Sequence, residues 1–291
     1  MTLSVAHLGP TGTNAEAAAL AYVKLLTRET GQECLLCPYV SIGQTLRAVA
    51  DGEVLLAVVP VENSIEGSVP VTLDTLWQLD RLQIQRAVVL PISHALLSVA
   101  GALQEIQTVY SHPQALAQCQ GWLEKFLPQV QLIPANSTTE ALLHLEEDKT
   151  AGAISSLRAA QLYKLPVLAH PINDYPDNFT RFWVLSLQPS SGGTHTSLGF
   201  SVPANVPGAL VKPLQVFAQR NINMSRIESR PTKRSLGDYV FFIDIEADAR
   251  DASVQSALQE LAPHTETLKI FGSYTTAYAD SDPANPDCLI L

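Results

Sequence analysis

The chain predicts an α/β fold arranged as two successive units, and three observations carry that reading. Between residues 1 and 187, short apolar strands run into small polar residues and then into helical periodicity, five times over. A Pro, Ser and Gly cluster, QPSSGGTH at 188 to 195, then breaks the pattern and reads as a linker. Beyond it, residues 196–274 give the element order β-α-β-β-α-β, the ferredoxin-like plan.

Each repeat of the first unit has its own start signals. SVAHLG leads into Pro10, Gly12 and Thr13, where Thr13 and Glu16 have capping-box spacing ahead of AAALAYVKLL. VLLAVVPV leads into Glu62, Asn63, Ser64 and Gly67, then a helix through VTLDTLWQL. TVY leads into Ser111, His112, Pro113 and Gln114, with Ser111 expected as the cap of a helix through ALAQCQGWLEKFL. QLIPAN leads into Ser137 to Glu140, a second capping box, and AGAI leads into Ser155 and Ser156 before LRAAQLYKL. Strands alternating with helices predict a mostly parallel sheet whose ligands gather beyond the carboxyl ends of the strands, where all five polar clusters fall. Helix starts converging there would bind a small anion through N–H groups, with little need for Lys or Arg. Any single cluster is equally well read as a stabilising cap, and the clusters alone name no ligand.

Composition narrows the classes. With 46% hydrophobic and 16% charged residues over 291 positions, the chain is ordered and long enough for two or three cores. A net charge of -10 without a basic patch argues against nucleic acid and anionic membrane surfaces as partners. No signal-peptide pattern or transmembrane-length apolar run is visible, and four scattered Cys suit a reducing cytoplasm. Cys34 and Cys37 form a lone C-x-x-C without a second ligand pair, so no metal site is expected. After Tyr274 periodicity stops, and residues 275–291 read as a tail.

DNFTRFWVL, residues 177 to 185, sets Asn178, Thr180 and Arg181 at the head of an apolar strand. On pattern alone these are a turn residue, a strand former and a solvent-facing charge. With four other runs, however, they make a recognisable set: GPTGT at 9 to 13, VPVENSIEGSV at 59 to 69, SHPQALAQC at 111 to 119, AGAISSLRAA at 151 to 160 and NFTRF at 178 to 182. In this order the set resembles the prephenate dehydratase family. His7 and Asn14 depart from the aromatic residues usual in that family.

The resemblance implies a two-lobed, periplasmic-binding-protein-like catalytic unit over residues 1–187. Lobe one would span about 1–80 and 170–187 and lobe two about 81–169, with the active site between them. It implies loss of CO2 and the ring hydroxyl from prephenate, with Thr180 essential and Arg181 beside it. Thr180 is expected to hydrogen-bond the leaving hydroxyl, with Glu62 and His112 as titratable candidates for a relay. Gly12, Thr13, Asn63, Ser64, Ser111, Gln114, Asn178 and Phe182 are expected to hold the substrate. This reaction calls for no redox cofactor.

In the second unit, PGALV at 207 to 211 and ESRP at 228 to 231 resemble the ACT domain that follows such catalytic units. The resemblance implies phenylalanine as effector, with Gly208, Ala209 and Leu210 in a close-approach loop and Glu228, Ser229, Arg230 and Pro231 on the facing strand. Pro213 is expected to lie beyond the first helical turn, where it would clash with the carbonyl four residues back and kink the effector loop. Binding between paired domains would make the protein a homodimer or homotetramer. Without a helical segment ahead of residue 3, a monofunctional enzyme is expected. Arogenate dehydratase, on the same scaffold, and a non-catalytic amino-acid sensor are the competing readings.

Overall fold

The computed structural model describes residues 3–279 and the short strand Leu289–Ile290. The chain runs β1 (Leu3–Leu8), α1 (Asn14–Thr30), β2 (Cys34–Tyr39), α2 (Ile42–Ala50), β3 (Leu56–Asn63), β4 (Gly67–Ser68), α3 (Pro70–Gln78) and β5 (Gln83–Pro91). It continues through β6 (Ala95–Leu97), β7 (Thr108–Ser111), α4 (Pro113–Ala117), α5 (Gln120–Phe126), β8 (Gln131–Pro134), α6 (His144–Glu147), β9 (Ala151–Ser155), α7 (Leu157–Tyr163) and β10 (Val167–Ala169). β11 (Phe179–Ser186) closes the first unit. The second holds β12 (His195–Ser201), α8 (Val211–Ala218), β13 (Met224–Pro231), β14 (Tyr239–Ile245), α9 (Ala252–Leu261) and β15 (Thr267–Ala279), with Leu289–Ile290 as β16.

Two sheets result. One has five strands in the order β10-β6-β9-β7-β8. The other runs β13-β14-β12-β15-β5-β11-β3-β1-β2, so that the ferredoxin-like unit and lobe one share a continuous sheet through the parallel β15 and β5. The parallel arrangement holds for β2-β1-β3 and for β8-β7-β9, whereas β11 is antiparallel to both β3 and β5.

Period-two alternation decides what each face of the large sheet covers. Val5, Val58, Val88, Phe182 and Val184 pack against the alanine-rich face of α1, where small side chains let helix and sheet approach closely. Val59, Val61, Trp183 and Leu185 point the other way into a core shared with α2, α3 and Val240, Phe242, Phe271 and Tyr274 of the second unit. Fully burying each large apolar side chain contributes about 1.5–3 kcal/mol, so a core common to both units ties them together thermodynamically.

Four expectations need correction. The chain leaves lobe one after Pro91, not near residue 80, because β5 pairs with β11 from Gln83 to Pro91. Its apolar run reads equally well as the first strand of either lobe. Residues 275–279 continue β15 along β5 and are not tail; most of the remaining tail lies outside the described residues. The helix expected through ALAQCQGWLEKFL breaks at Gln118 and Cys119 into α4 and α5. Pro213 causes no kink, since α8 begins at Val211 and the proline falls in its first turn, where its missing N–H has no helical partner to lose. Gly208, at φ +83° in the turn before α8, adopts the left-handed region that favours glycine.

Candidate active site

A cavity of about 770 Å³ opens between the two sheets, within the size range of small-molecule sites. Lobe one supplies Gly9, Thr13, Asn14, Asn63, Thr180 and Phe182; lobe two and its connections supply His94, His112, Gln114, Gln118, Ser137, Thr138 and Glu140. Among these described lining residues there is no Lys or Arg, and Glu140 is the one carboxylate.

β11 places Thr180 directly opposite Asn63 of β3. Asn63 Oδ1 accepts the backbone N–H groups of Ile65 (3.0 Å) and Glu66 (3.1 Å). Because a backbone N–H only donates, these two bonds fix the amide orientation. Asn63 Nδ2 therefore faces Asn178 Oδ1 (2.7 Å) and Thr180 Oγ1 (3.0 Å) as donor. The assignment propagates: Asn178 Nδ2 donates to Gln118 Oε1 (2.9 Å), and that oxygen also accepts from His94 Nε2 at 2.9 Å. His94 thus carries its hydrogen on Nε2, and burial pushes its pKa down more than the Gln118 bond raises it. All five side chains of the network are buried.

The break between α4 and α5 brings Gln118 into this network. Asp174, on the chain returning to β11, accepts from Gly121 N (2.8 Å) and Trp122 N (2.9 Å) at the start of α5, while its own N–H donates to Gln118 O (2.9 Å). Gln118 and His94 were missed by sequence reasoning, because Gln118 lies inside an uninterrupted helical pattern and His94 follows a strand assigned to the wrong lobe.

The other expected residues divide clearly. Thr13 caps α1, accepting from Glu16 N at 3.3 Å, and lines the cavity with Asn14 at the positive end of a 17-residue helix. His112 caps α4 through Nδ1, accepting from Gln114 N at 3.2 Å; both residues line the cavity, and burial lowers the His112 pKa. Ser111, the expected cap, is buried and donates to Ile154 O (2.7 Å), so it ties β7 to β9 instead. Ser64 braces the loop of β11, donating to Asp177 O (3.2 Å) and accepting from Phe179 N (2.9 Å). Gly12 sits at φ +92° under Tyr163 and Thr139 of lobe two, and its N–H donates to Glu16 Oε2 at 2.8 Å.

Arg181 and Glu62 do not line the cavity. Alternation turns Arg181 to the opposite face from Thr180, where its guanidinium stands 3.5 Å from Glu62 Oε2 and 3.5 Å from Asp244 Oδ2 of β14. A direct catalytic contact for these two residues is therefore corrected by the geometry. In the second unit, Glu228 accepts from Ser68 Oγ (3.1 Å), and Arg230 grips Asp74 of α3 through Nε (2.9 Å) and Nη2 (3.1 Å). Their strand neighbours Ser229 and Pro231 face outward.

These elements define a two-lobed α/β unit, with a largely apolar cleft that carries a few placed polar groups, fused to a ferredoxin-like domain. The prephenate dehydratase family profile matches residues 5–190 and the ACT domain profile residues 196–263. A bifunctional chorismate mutase/prephenate dehydratase of Aquifex aeolicus is 43% identical over 278 residues, 94% of this chain and 74% of that one. The prephenate dehydratase of Lactococcus lactis subsp. cremoris is 37% identical over 94% of this chain and 98% of its own. The crystal structure of prephenate dehydratase in complex with L-Phe from Arthrobacter aurescens superposes with a TM-score of 0.81 at 35% identity, covering 94% of this chain and 90% of that one. The chain belongs to the prephenate dehydratase family and is a lyase carrying an ACT domain.

Proposed function

We propose that the cavity converts prephenate to phenylpyruvate, CO2 and water, with Thr180 donating a hydrogen bond to the departing hydroxyl. The observation that carries this reading is the direction of the Asn63 to Thr180 bond. Since Thr180 Oγ1 accepts from Asn63, its own hydrogen is free to point into the cavity. As the C–C bond to the ring carboxylate breaks, its electron pair moves into the ring and the ring C–O bond breaks, so negative charge develops on the leaving oxygen, which departs as hydroxide and takes up a proton from solvent to become water. A fixed donor there is worth most in the transition state, and aromatisation supplies the driving force.

Thr13, Asn14 and the first turn of α1, with Gln114 across the cleft, are suited to the substrate's carboxylates and carbonyl. Among the described residues lining the cavity there is no Lys or Arg, so binding of the dianion rests on N–H and amide donors together with the helix end. His112 is the titratable group at the cavity wall closest to a relay role. Glu140 favours a second reading, in which arogenate binds with its ammonium group on that carboxylate.

Phenylalanine is the effector proposed for the ACT domain, supported by the L-Phe complex of the Arthrobacter aurescens relative. Gly208, Ala209 and Leu210, with Ser229 and Pro231, are the residues assigned to that site. Glu228 and Arg230 act differently, bonding lobe one. A homodimer or homotetramer in the cytoplasm completes the proposal; β13 ends the sheet with an unpaired edge among the described residues, which suits pairing with a second copy.

Product formation from prephenate and from arogenate, each with and without phenylalanine, tests the assignment. Phenylpyruvate from prephenate, suppressed by phenylalanine, is the expected result; higher kcat/KM for arogenate would establish the second reading. Turnover of neither would refute both.

A further inference from the structure

Behind Thr180, on the face of β11 away from the cavity, lies a cluster of charges that the chemistry above does not use. Asp244 of β14 is fully buried. Its Oδ2 accepts from Arg226 Nε at 2.8 Å and from Arg181 Nη1 at 3.5 Å; its Oδ1 accepts from Ser197 Oγ and from Arg226 Nη2 at 3.4 Å. One carboxylate of the ACT domain thereby bridges a guanidinium of its own sheet and the guanidinium next to Thr180.

The same face of β11 is held a second time, two residues on. The Arg226 guanidinium lies 5.4 Å from the centre of the Trp183 ring, a cation–π distance. Residues 181 and 183 are therefore gripped by the ACT domain, while 180 and 182 face the cavity. Between them the ladder to β3 is irregular: Arg181 pairs with Glu62 but Phe182 pairs with Pro60, so Val61 is an extra residue. A bulge of this kind re-aims the side chains beside it and interrupts the backbone bonding that would otherwise fix them.

We propose that Asp244 is a positioning residue for the dehydration, acting through Arg181 to hold β11, beside the bulge of β3, in the register that sets Thr180 against Asn63. The ACT domain then contributes to turnover in every molecule, with or without effector, and the inference rests on the function proposed above. Removing Asp244 takes away the carboxylate hydrogen-bonded to buried Arg226 and leaves Glu62, 3.5 Å from Arg181, as the remaining negative charge of the cluster, so Asp244→Asn carries a folding cost. Arg181 is partly exposed, and Arg181→Met removes its charge while keeping most of its bulk.

The experiment compares wild type, Arg181→Met, Arg181→Lys, Asp244→Asn and the double variant Asp244→Asn with Arg181→Met in steady-state turnover of prephenate. Arg220→Met, which breaks a pair with Glu260 on the outer surface of the ACT domain, is the control. Arg181→Met should lower kcat about tenfold with KM within about twofold, and Arg181→Lys should restore most of the loss. The double variant should be no slower than the worse single variant, and the control should match wild type. Full turnover by a folded Arg181→Met, or losses that multiply in the double variant, would overturn the proposal. Wild-type turnover itself tests the underlying function. The crystal structure of Arg181→Met reports independently of activity: Thr180 Oγ1 should leave hydrogen-bond reach of Asn63, beyond about 3.5 Å, and an unchanged spacing would refute the positioning role.

Discussion

Asn63 donates to Thr180 across adjacent strands at 3.0 Å, and two backbone N–H groups on the far side of the amide make that direction obligatory. A threonine hydroxyl is a very weak acid, and an accepted hydrogen bond leaves its proton as the group's one remaining donor function. This donor is held in place before substrate arrives, at little reorganisation cost in the reaction itself. Thr180→Ala is expected to lower kcat by about 10²–10³-fold, in the range for loss of one placed transition-state donor, with KM changed much less. Thr180→Ser, which keeps the hydroxyl, should retain activity within about tenfold of wild type, the cost of one freer rotamer. Steady-state kinetics on both variants decides it: equal loss in the two would remove the hydroxyl from the mechanism.

The partner residue gives a sharper test of direction. Asn63→Asp is nearly isosteric but presents only acceptors, so Thr180 would turn its hydrogen toward the new carboxylate and away from the cavity. Asn178 Oδ1, which accepts from Asn63 at 2.7 Å, would face the same carboxylate. Loss of about 10²-fold or more in kcat is expected, comparable with Thr180→Ala. Activity near wild type in a folded Asn63→Asp would show that Thr180 does not need to donate.

Much of this arrangement is legible in the sequence, because caps and strand ends are local. Thr13, Ser137 and Ser156 each accept from the backbone N–H three residues on, as their spacing predicts. Thr180 was reached through family resemblance and not through pattern, since threonine at a strand start is ordinary. What escaped is set by tertiary pairing. β5 carries no local mark of which lobe it joins, and the break at Gln118 depends on Asp174, 56 residues away, capping α5. One signal was available and unused: period-two alternation separates Thr180 from Arg181, so both cannot enter one cavity.

Lobe closure has its own sensitive point at Gly12. Tyr163 Oη donates to Thr11 O (3.1 Å), Ser156 Oγ reaches Gly12 O (3.4 Å), and Arg158 pairs with Glu16 at 2.9 Å, all across the cleft. A Cβ on Gly12 would meet Tyr163 at 3.3 Å and Thr139 at 3.4 Å, on a backbone with φ +92°. Gly12→Ala should cost about 1–3 kcal/mol of stability from backbone strain and raise the KM for prephenate severalfold by holding lobe two away. Thermal melting and KM measured together test this; a lower Tm with unchanged KM would confine the effect to the turn.

His94 makes stability depend on pH in a stated direction. Burial lowers its folded-state pKa below the ordinary 6.5, so the unfolded chain binds this proton more readily. Its contribution is therefore fully present above pH 6.5 and is lost as pH falls toward the folded value, because the proton must then be taken up in a buried network. Nε2 already donates to Gln118, and protonation adds a hydrogen at Nδ1 that this bond does not satisfy. Between pH 7 and pH 5 the wild-type Tm should decline, and His94→Gln, which removes the titrating group, should decline less over the same interval. His112, also shifted down by burial, remains in both proteins and adds the same slope to each, so the difference between the two melting curves isolates His94. Parallel curves would mean that the buried network accepts the protonated imidazole without cost.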